Sequence, residues 1–330
     1  MRTAAERPGR ASGPAASARE PAPGTGWVAV IGGVTLLWLL LTFAGLFARV
    51  PWARLGEVAV RPEFRDALVL SLQTCLATTA VVFAFGLPFA LWMGQSARLA
   101  PLLRILVLLP MTLPPVVAGL ALLATFGRRG LLGAPLSVLG VEIGFTTVAV
   151  VLAQVFVSLP YFVVAVEAAH RVMDPAPGRA LGLLGASPSA VLRHATLPAL
   201  GPAIVSGLSL AFARALGEFG ATLTFAGSLQ GTTRTMPLAI YLARESDPEI
   251  SYALALALIL TAVVAITTGH GLARLLARPR PAPFHGEMEG LVPRAEPVTV
   301  NLTVRRPERG VEADLSIPAG ETVALIGPNG

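Results

Sequence analysis

Lysine is absent from this 330-residue chain: all 25 basic residues are arginine. Alongside abundant alanine, glycine and proline, that absence reflects a bias of composition and excludes no function by itself. Charge of either sign is scarce, at 13% of residues against the ~25% usual in a soluble domain, while 54% are hydrophobic. Such a chain cannot cover an apolar interior with a polar surface, so its solvent is a lipid bilayer. Cysteine is nearly absent too. Cys75 stands alone in an apolar run, which excludes a disulfide framework and a thiolate metal cluster and leaves packing as its role. Only four histidines occur, His170, His194, His270 and His285. They fall in or near segments expected in the cytoplasm, not as a cluster at one membrane depth, which argues against a membrane-embedded enzyme. The net charge of +6 would suggest an anionic partner for a soluble protein. Here the arginines collect at the ends of apolar runs, where membrane topology accounts for them, and nucleic acid is not expected as a partner.

What is present is a succession of long apolar runs. Residues 1–26 contain none and read as a disordered tail. Trp27 to Ala48 spans about 33 Å as a helix, too long for the apolar part of a signal peptide and long enough to cross a bilayer. Further runs occur near 67–93, 101–125, 146–167, 199–224 and 251–273, giving six spans within a membrane domain of residues 27–277. With the N-terminus inside, twelve arginines flank the spans on the cytoplasmic side and eight on the other, a split that favours cytoplasmic termini. Gly86, Pro88, Pro110, Pro114, Pro115 and Pro160 interrupt the runs. Broken helices survive in a membrane only where neighbours or water satisfy the freed backbone groups, so these positions should face the bundle or a cavity. Pro114 and Pro115 are candidates for lining a pathway, with kinks for packing as the alternative.

Between the fourth and fifth runs, residues 174–198 carry helix punctuation twice. Asp174 and Pro175 start one helix, Gly185 ends it, and Ser187 with Pro188 repeats the start signal after Ala186. Two short helices should meet there and project into the cytoplasm, with Leu181, Leu184, Val191 and Leu192 suited to a partner's groove.

The pattern changes after the sixth run. Residues 278–297 open on Pro279-Arg-Pro-Ala-Pro-Phe, a stiff linker. Val298 to Val304 and Val311 to Ile317 then alternate apolar and polar as paired strands do, and Pro318-Ala-Gly-Glu turns into a further strand at Thr322 to Ile326. Gly327, Pro328, Asn329 and Gly330 have the first glycines of a GxxxxGK[ST] phosphate loop without its Lys and Ser/Thr. Residues 298–330 thus read as the beginning of a nucleotide-binding domain that would not bind ATP alone.

At the 174–198 segment the sequence resembles the binding-protein-dependent ABC transporter permeases, whose cytoplasmic loop has an EAA, Gly, Ile-x-Leu-Pro pattern. Ala180, Gly185, Leu197 and Pro198 match at the expected spacing. Arg179 stands where the Glu usually is, Leu181 replaces the second Ala and Ala195 the Ile. A literal Glu167-Ala168-Ala169 lies upstream, but Met173 falls where its Gly should be. Leu109-Pro-Met-Thr-Leu-Pro-Pro-Val-Val-Ala-Gly-Leu, Phe126-Gly-Arg-Arg-Gly-Leu-Leu-Gly, Phe212-Ala-Arg-Ala-Leu-Gly-Glu-Phe-Gly and Thr232-Thr-Arg-Thr-Met-Pro are similar to molybdate-transport permeases. Sulfate permeases share much of this pattern.

The resemblance implies an all-α polytopic membrane protein with six spans of the ABC importer permease type, followed by a short β-rich fragment of an ABC nucleotide-binding domain. It implies a homodimer of permeases, two ABC ATPase subunits or fused domains carrying ATP and Mg²⁺, and a periplasmic or lipid-anchored molybdate-binding protein. Uptake would proceed by alternating access, coupled through Asp174, Arg179, Ala180, Gly185, Ala186, Ser187, Pro188, Leu197 and Pro198. Tungstate and sulfate or thiosulfate remain alternative substrates. An ion-coupled secondary transporter is a distant one, because Arg214 and Glu218 are nearly the only ionisable residues inside the runs. Those two should pair, Arg214 either drawing a dianion inward or serving with Glu218 as a clamp between helices. Ser158, Ser206, Ser209, Thr222 and Thr224 offer hydroxyls to a passing tetraoxyanion, or pack between helices. Arg128, Arg129, Arg234 and Arg244, beside outer-loop carboxylates, suit either docking of a binding protein or a solvated rim.

Overall fold

The computed structural model describes residues 26–96, 98–277, 299–306 and 311–318, which form two units, one ending at Ala277 and one beginning at Arg278. The first is helical: α1 (Gly26–Arg49), α2 (Leu55–Ala59), α3 (Pro62–Gln95), α4 (Ala100–Thr112), α5 (Pro115–Phe126), α6 (Gly133–Val138), α7 (Thr147–Arg171), α8 (Ala176–Leu183), α9 (Pro188–Val191), α10 (Leu197–Leu216), α11 (Gly220–Ala226), α12 (Met236–Ser246) and α13 (Pro248–Leu276). Five helical stretches are long and apolar enough to cross a membrane alone, namely α1, α3, α7, the run Pro188–Leu216 and α13.

The run near 101–125 departs from the single span expected. It is two helices, α4 and α5, bent by 112°. The cause is Pro114 next to Pro115. A residue before proline is driven out of the α region, and Leu113 (ψ 136°) and Pro114 (ψ 138°) are both extended. At 13 and 12 residues, α4 and α5 reach about 18–20 Å each, short of the ~30 Å hydrocarbon layer. The fifth run also ends earlier than read: α10 stops at Leu216, and a break at Gly217–Phe219 precedes α11.

Helices α3 and α7 are central. Phe162 of α7, fully buried, sits between α3 and α10, and at both contacts the neighbour is glycine. A Cβ at Gly86 would lie 2.8 Å from the Phe162 ring and one at Gly207 3.1 Å from it. Gly86 therefore serves close packing, while α3 runs unbroken through Pro88. Around Phe162 gather Val82, Met93, Val107, Val163, Val166 and Leu200. A second cluster joins α5, α7 and α11 through Leu122, Ala149, Ala153 and Phe225, and a third joins α3, α12 and α13 through Ala67, Met236 and Leu254. Three polar contacts inside this bundle join different helices: Thr78 donates to Gln154 Oε1 (3.0 Å), the Gln154 amide donates to Cys75 Sγ (3.7 Å), and Ser71 Oγ accepts from the Met236 N–H (2.8 Å). Cys75 thus packs, as its apolar setting implied. Helix α1, by contrast, has no buried residue.

In the second unit, β1 (Val300–Arg306) and β2 (Val311–Ile317) pair antiparallel, Leu302 opposite Leu315 and Arg306 opposite Val311. Strand β1 starts and ends two residues later than the apolar alternation suggested, because backbone pairing continues through Arg305 and Arg306 without needing apolar side chains. The tail 1–25, the linker 278–297, the strand expected at 322–326 and the loop Gly327, Pro328, Asn329 and Gly330 lie outside the described residues.

Candidate functional site

Two features stand out in the helical unit: an exposed hairpin after α7, and a contact between the two broken helices.

The hairpin is built as its punctuation requires. Asp174 lies one position before the N-cap, Pro175, and its Oδ1 accepts from the Ala176 N–H at 2.9 Å. Helix α8 closes with a Schellman pattern. The Gly185 N–H bonds the Gly182 carbonyl and the Ala186 N–H bonds the Leu181 carbonyl, both at 3.0 Å, with Gly185 at φ +84°. Ser187 then caps α9, its Oγ accepting from the Ala190 N–H at 3.3 Å, and Pro188 takes the first helical position. Sequence reasoning missed that α9 does not end the hairpin. It continues through a π-turn at Leu192–Thr196 directly into α10, so one helical stretch runs from Pro188 to Leu216. Pro198 supplies the reason. Lacking an N–H, it cannot bond the His194 carbonyl, and the ladder widens just before it, with the Leu197 N–H reaching back to the Leu192 carbonyl.

The apolar residues of the hairpin divide by position. Leu184 is 84% exposed and Leu183, which the sequence pattern did not single out, 90%. Val191 turns inward, its Cγ1 lying 3.4 Å from where a Cβ on Gly178 would be, and so closes the hairpin on itself. Arg179 and Ala180 are exposed, and Leu197 and Pro198 are half-buried.

The second feature brings Pro115 and the Arg214–Glu218 segment together. A Cβ at Gly220 would lie 2.6 Å from Pro115 Cβ, and one at Gly119 2.6 Å from Thr224 Cβ, so at each contact between α5 and α11 a glycine on one helix makes room for a side chain of the other. Gly119→Val should overpack this contact and cost about 1–3 kcal/mol. Thermal unfolding in detergent measures it, and an unchanged midpoint would mean the helices separate freely there. Glu218 is 1% exposed. Its Oε2 bonds Arg214 Nη1 at 2.9 Å while its Oε1 accepts from the Ala221 N–H at 2.9 Å. The pair therefore straddles the break, tying the end of α10 to the first turn of α11.

The hydroxyl candidates lie on α7, α10 and α11. Ser158, Ser209 and Thr224 donate to carbonyls four residues back in their own helices (2.6, 2.9 and 2.9 Å). Ser209 lies against Gly269 of α13, Ser206 is half-buried on α10, and Thr222 is fully buried with no hydrogen-bond partner among the described residues. Among the loop charges, Arg128 pairs with Glu142 and Arg234 donates to Ser228. Arg54, which the sequence did not mark, bonds Glu249 at 2.6 Å and Glu57 at 3.4 Å. The Arg61 and Arg54 guanidiniums hold the exposed Glu57 carboxyl below its usual range.

A helical bundle with broken spans and an exposed, doubly capped hairpin defines a class, the multi-pass permeases of ABC importers. Residues 86–279 match the family described as "Binding-protein-dependent transport system inner membrane component", and the chain belongs to that family. It is 46% identical over 241 residues to the molybdenum transport system permease protein ModB of Mycobacterium tuberculosis, covering 73% of this chain and 91% of that one. It is 31% identical over 218 residues to the sulfate transport system permease protein CysT of Salmonella typhimurium, covering 63% and 78%. Its fold is similar to a chain of a bacterial alginate ABC transporter solved with an alginate pentasaccharide-bound periplasmic protein, with a TM-score of 0.62 at 16% identity over 78% of this chain and 97% of that one.

Proposed function

We propose that this chain is the membrane-spanning part of an ATP-driven importer of molybdate. The observation carrying this reading is the 46% identity along 91% of a molybdenum permease, higher than the 31% shared with the sulfate permease. In the assembly, two copies form the pathway, an ABC ATPase pair carrying ATP and Mg²⁺ sits against the hairpins, and a periplasmic or lipid-anchored binding protein delivers the oxyanion to the opposite face. Both termini and residues 174–198 are cytoplasmic. Residues 298–330 begin an ATPase domain, with β1 and β2 in its first sheet. Closing of the ATPase pair drives the bundle between inward-open and outward-open states, which requires the ATP-bound motor to bind one state more tightly than the other. Arg214 and Glu218 act as the clamp at the break in the fifth span, because the same carboxylate holds both the guanidinium and a backbone N–H.

The test is ATP-dependent uptake in proteoliposomes containing the permease with its ATPase and binding protein, read as internal molybdenum. Molybdate should accumulate, tungstate should compete, and excess sulfate should not. Sulfate uptake with molybdate left outside would overturn the substrate assignment, and the absence of any ATP-dependent oxyanion uptake would overturn the transport reading.

A further inference from the structure

Glu167, the residue of the upstream Glu-Ala-Ala that does not fit the coupling pattern, occupies an unusual place. It is 3% exposed, near the end of α7, and a single oxygen, Oε1, receives two guanidiniums. Arg104 of α4 approaches to 2.6 Å through Nη2, and Arg171 of α7 to 3.2 Å through Nε. One turn on, the His170 ring fills a notch in α3, where a Cβ at Gly94 would lie 2.6 Å from Nδ1. The end of α7 is thus keyed into α3 by shape and into α4 by charge. Three residues after Arg171 comes Asp174, where the hairpin begins.

The two guanidiniums are not equivalent. Arg171 belongs to the same helix as Glu167 and travels with it, whereas Arg104 belongs to α4, whose other hold on α7 is the apolar packing of Val107 and Leu103. Separating a buried carboxylate from its only partner is costly, because it leaves an uncompensated charge. Here Arg171 stays with Glu167 when Arg104 leaves, so the contact between helices can open without orphaning the carboxylate. Beyond Arg104, α4 leads through the 112° bend to α5, and α5 bears on α11 and the Arg214–Glu218 break.

We propose that Arg104 and Glu167 form a releasable latch between α4 and α7, with Arg171 as the reserve partner. Glu167 is the positioning residue through which movement of the hairpin reaches the broken span. The latch rests on the transport reading for its purpose, but its opening is measurable separately.

In the assembled transporter, Arg104→Gln should leave ATP hydrolysis and the unfolding midpoint near wild type, because Arg171 still faces Glu167, whereas Glu167→Gln should lower the midpoint with hydrolysis kept. Both should lower molybdate moved per ATP about five-fold or more, the range of ordinary coupling free energies. Arg104→Lys, which keeps the charge, should restore most of the ratio. A ratio unchanged in both variants overturns the latch, as does a ratio that falls only in step with hydrolysis and midpoint. If Glu167→Gln does not assemble, Arg104→Gln decides alone, since its guanidinium is already 36% exposed. A second readout needs no transport: spin labels at Ile105→Cys and Val172→Cys, both exposed, with Cys75 buried and unlabelled. The labels should report two separations during ATP turnover in the wild type and only the longer in Arg104→Gln. A single separation, the same in both proteins and indifferent to ATP, overturns the latch. A wild type that moves no oxyanion yet shows the two separations counts against the transport reading and supports the latch.

Discussion

Glu218→Ala is expected to be the most damaging single substitution in the membrane bundle. It removes a carboxylate that is 1% exposed and leaves Arg214 without its partner at 2.9 Å. Breaking a buried pair from one side costs 3–5 kcal/mol, and the lower end, roughly 3 kcal/mol, applies because the Arg214 side chain keeps 29% of its exposure. The same change uncaps the first turn of α11, where the Ala221 N–H loses its acceptor, for roughly 1 kcal/mol more. Glu218→Gln separates the two effects. Its amide oxygen still accepts from Ala221 while the charge is gone, so its midpoint in a detergent unfolding experiment should fall between wild type and Glu218→Ala. The double variant Arg214→Ala with Glu218→Ala should recover much of the loss, since neither charge is then stranded. If Glu218→Ala melts with the wild type, the pair contributes nothing and the clamp reading is wrong.

Leu183→Glu and Leu184→Glu should do the opposite, leaving the fold intact and disconnecting the motor. Both side chains are almost fully exposed in the chain by itself, so their replacement should change stability by no more than about 0.5 kcal/mol. In an ATPase groove, however, each would put a carboxylate where an apolar anchor belongs. A hot-spot loss of about 2 kcal/mol corresponds to roughly 30-fold weaker binding. Co-purification of the ATPase with each variant, beside its unfolding midpoint, measures the two quantities. Binding as tight as wild type would remove these leucines from the interface. Gly185→Val acts on the same hairpin from inside, because an L-residue at φ +84° costs about 1–2 kcal/mol and displaces the Schellman closure.

Local signals are what the linear sequence carries well. The caps of the hairpin were legible because they depend on residues within a few positions of one another: Gly185 at a positive φ, Ser187 reaching the Ala190 N–H, Pro188 in the first turn. The Arg214–Glu218 pair was legible for the same reason, lying four positions apart along one segment. Residues whose meaning depends on another helix were not. Glu167 read as a stray copy of a motif, and only the approach of Arg104 across 63 positions gives it a partner on another helix. Arg171, four positions on, was the local hint. The hydroxyls of Ser158, Ser209 and Thr224 looked available until their own helices proved to hold them.

Composition and apolar run length by themselves determined that this chain lives in a bilayer as a helical bundle, because the cost of unpaired backbone groups in hydrocarbon leaves long apolar segments hardly any other form. Where the helices break, and what the broken ends touch, only the tertiary structure decided. Pro114 and Pro115 bend the run by 112°, but the docking of α5 on α11 depends on Gly119 giving room to Thr224 and Ala221 and on Gly220 giving room to Pro115. That fit is a property of two surfaces roughly a hundred residues apart, and no reading of either segment alone contains it.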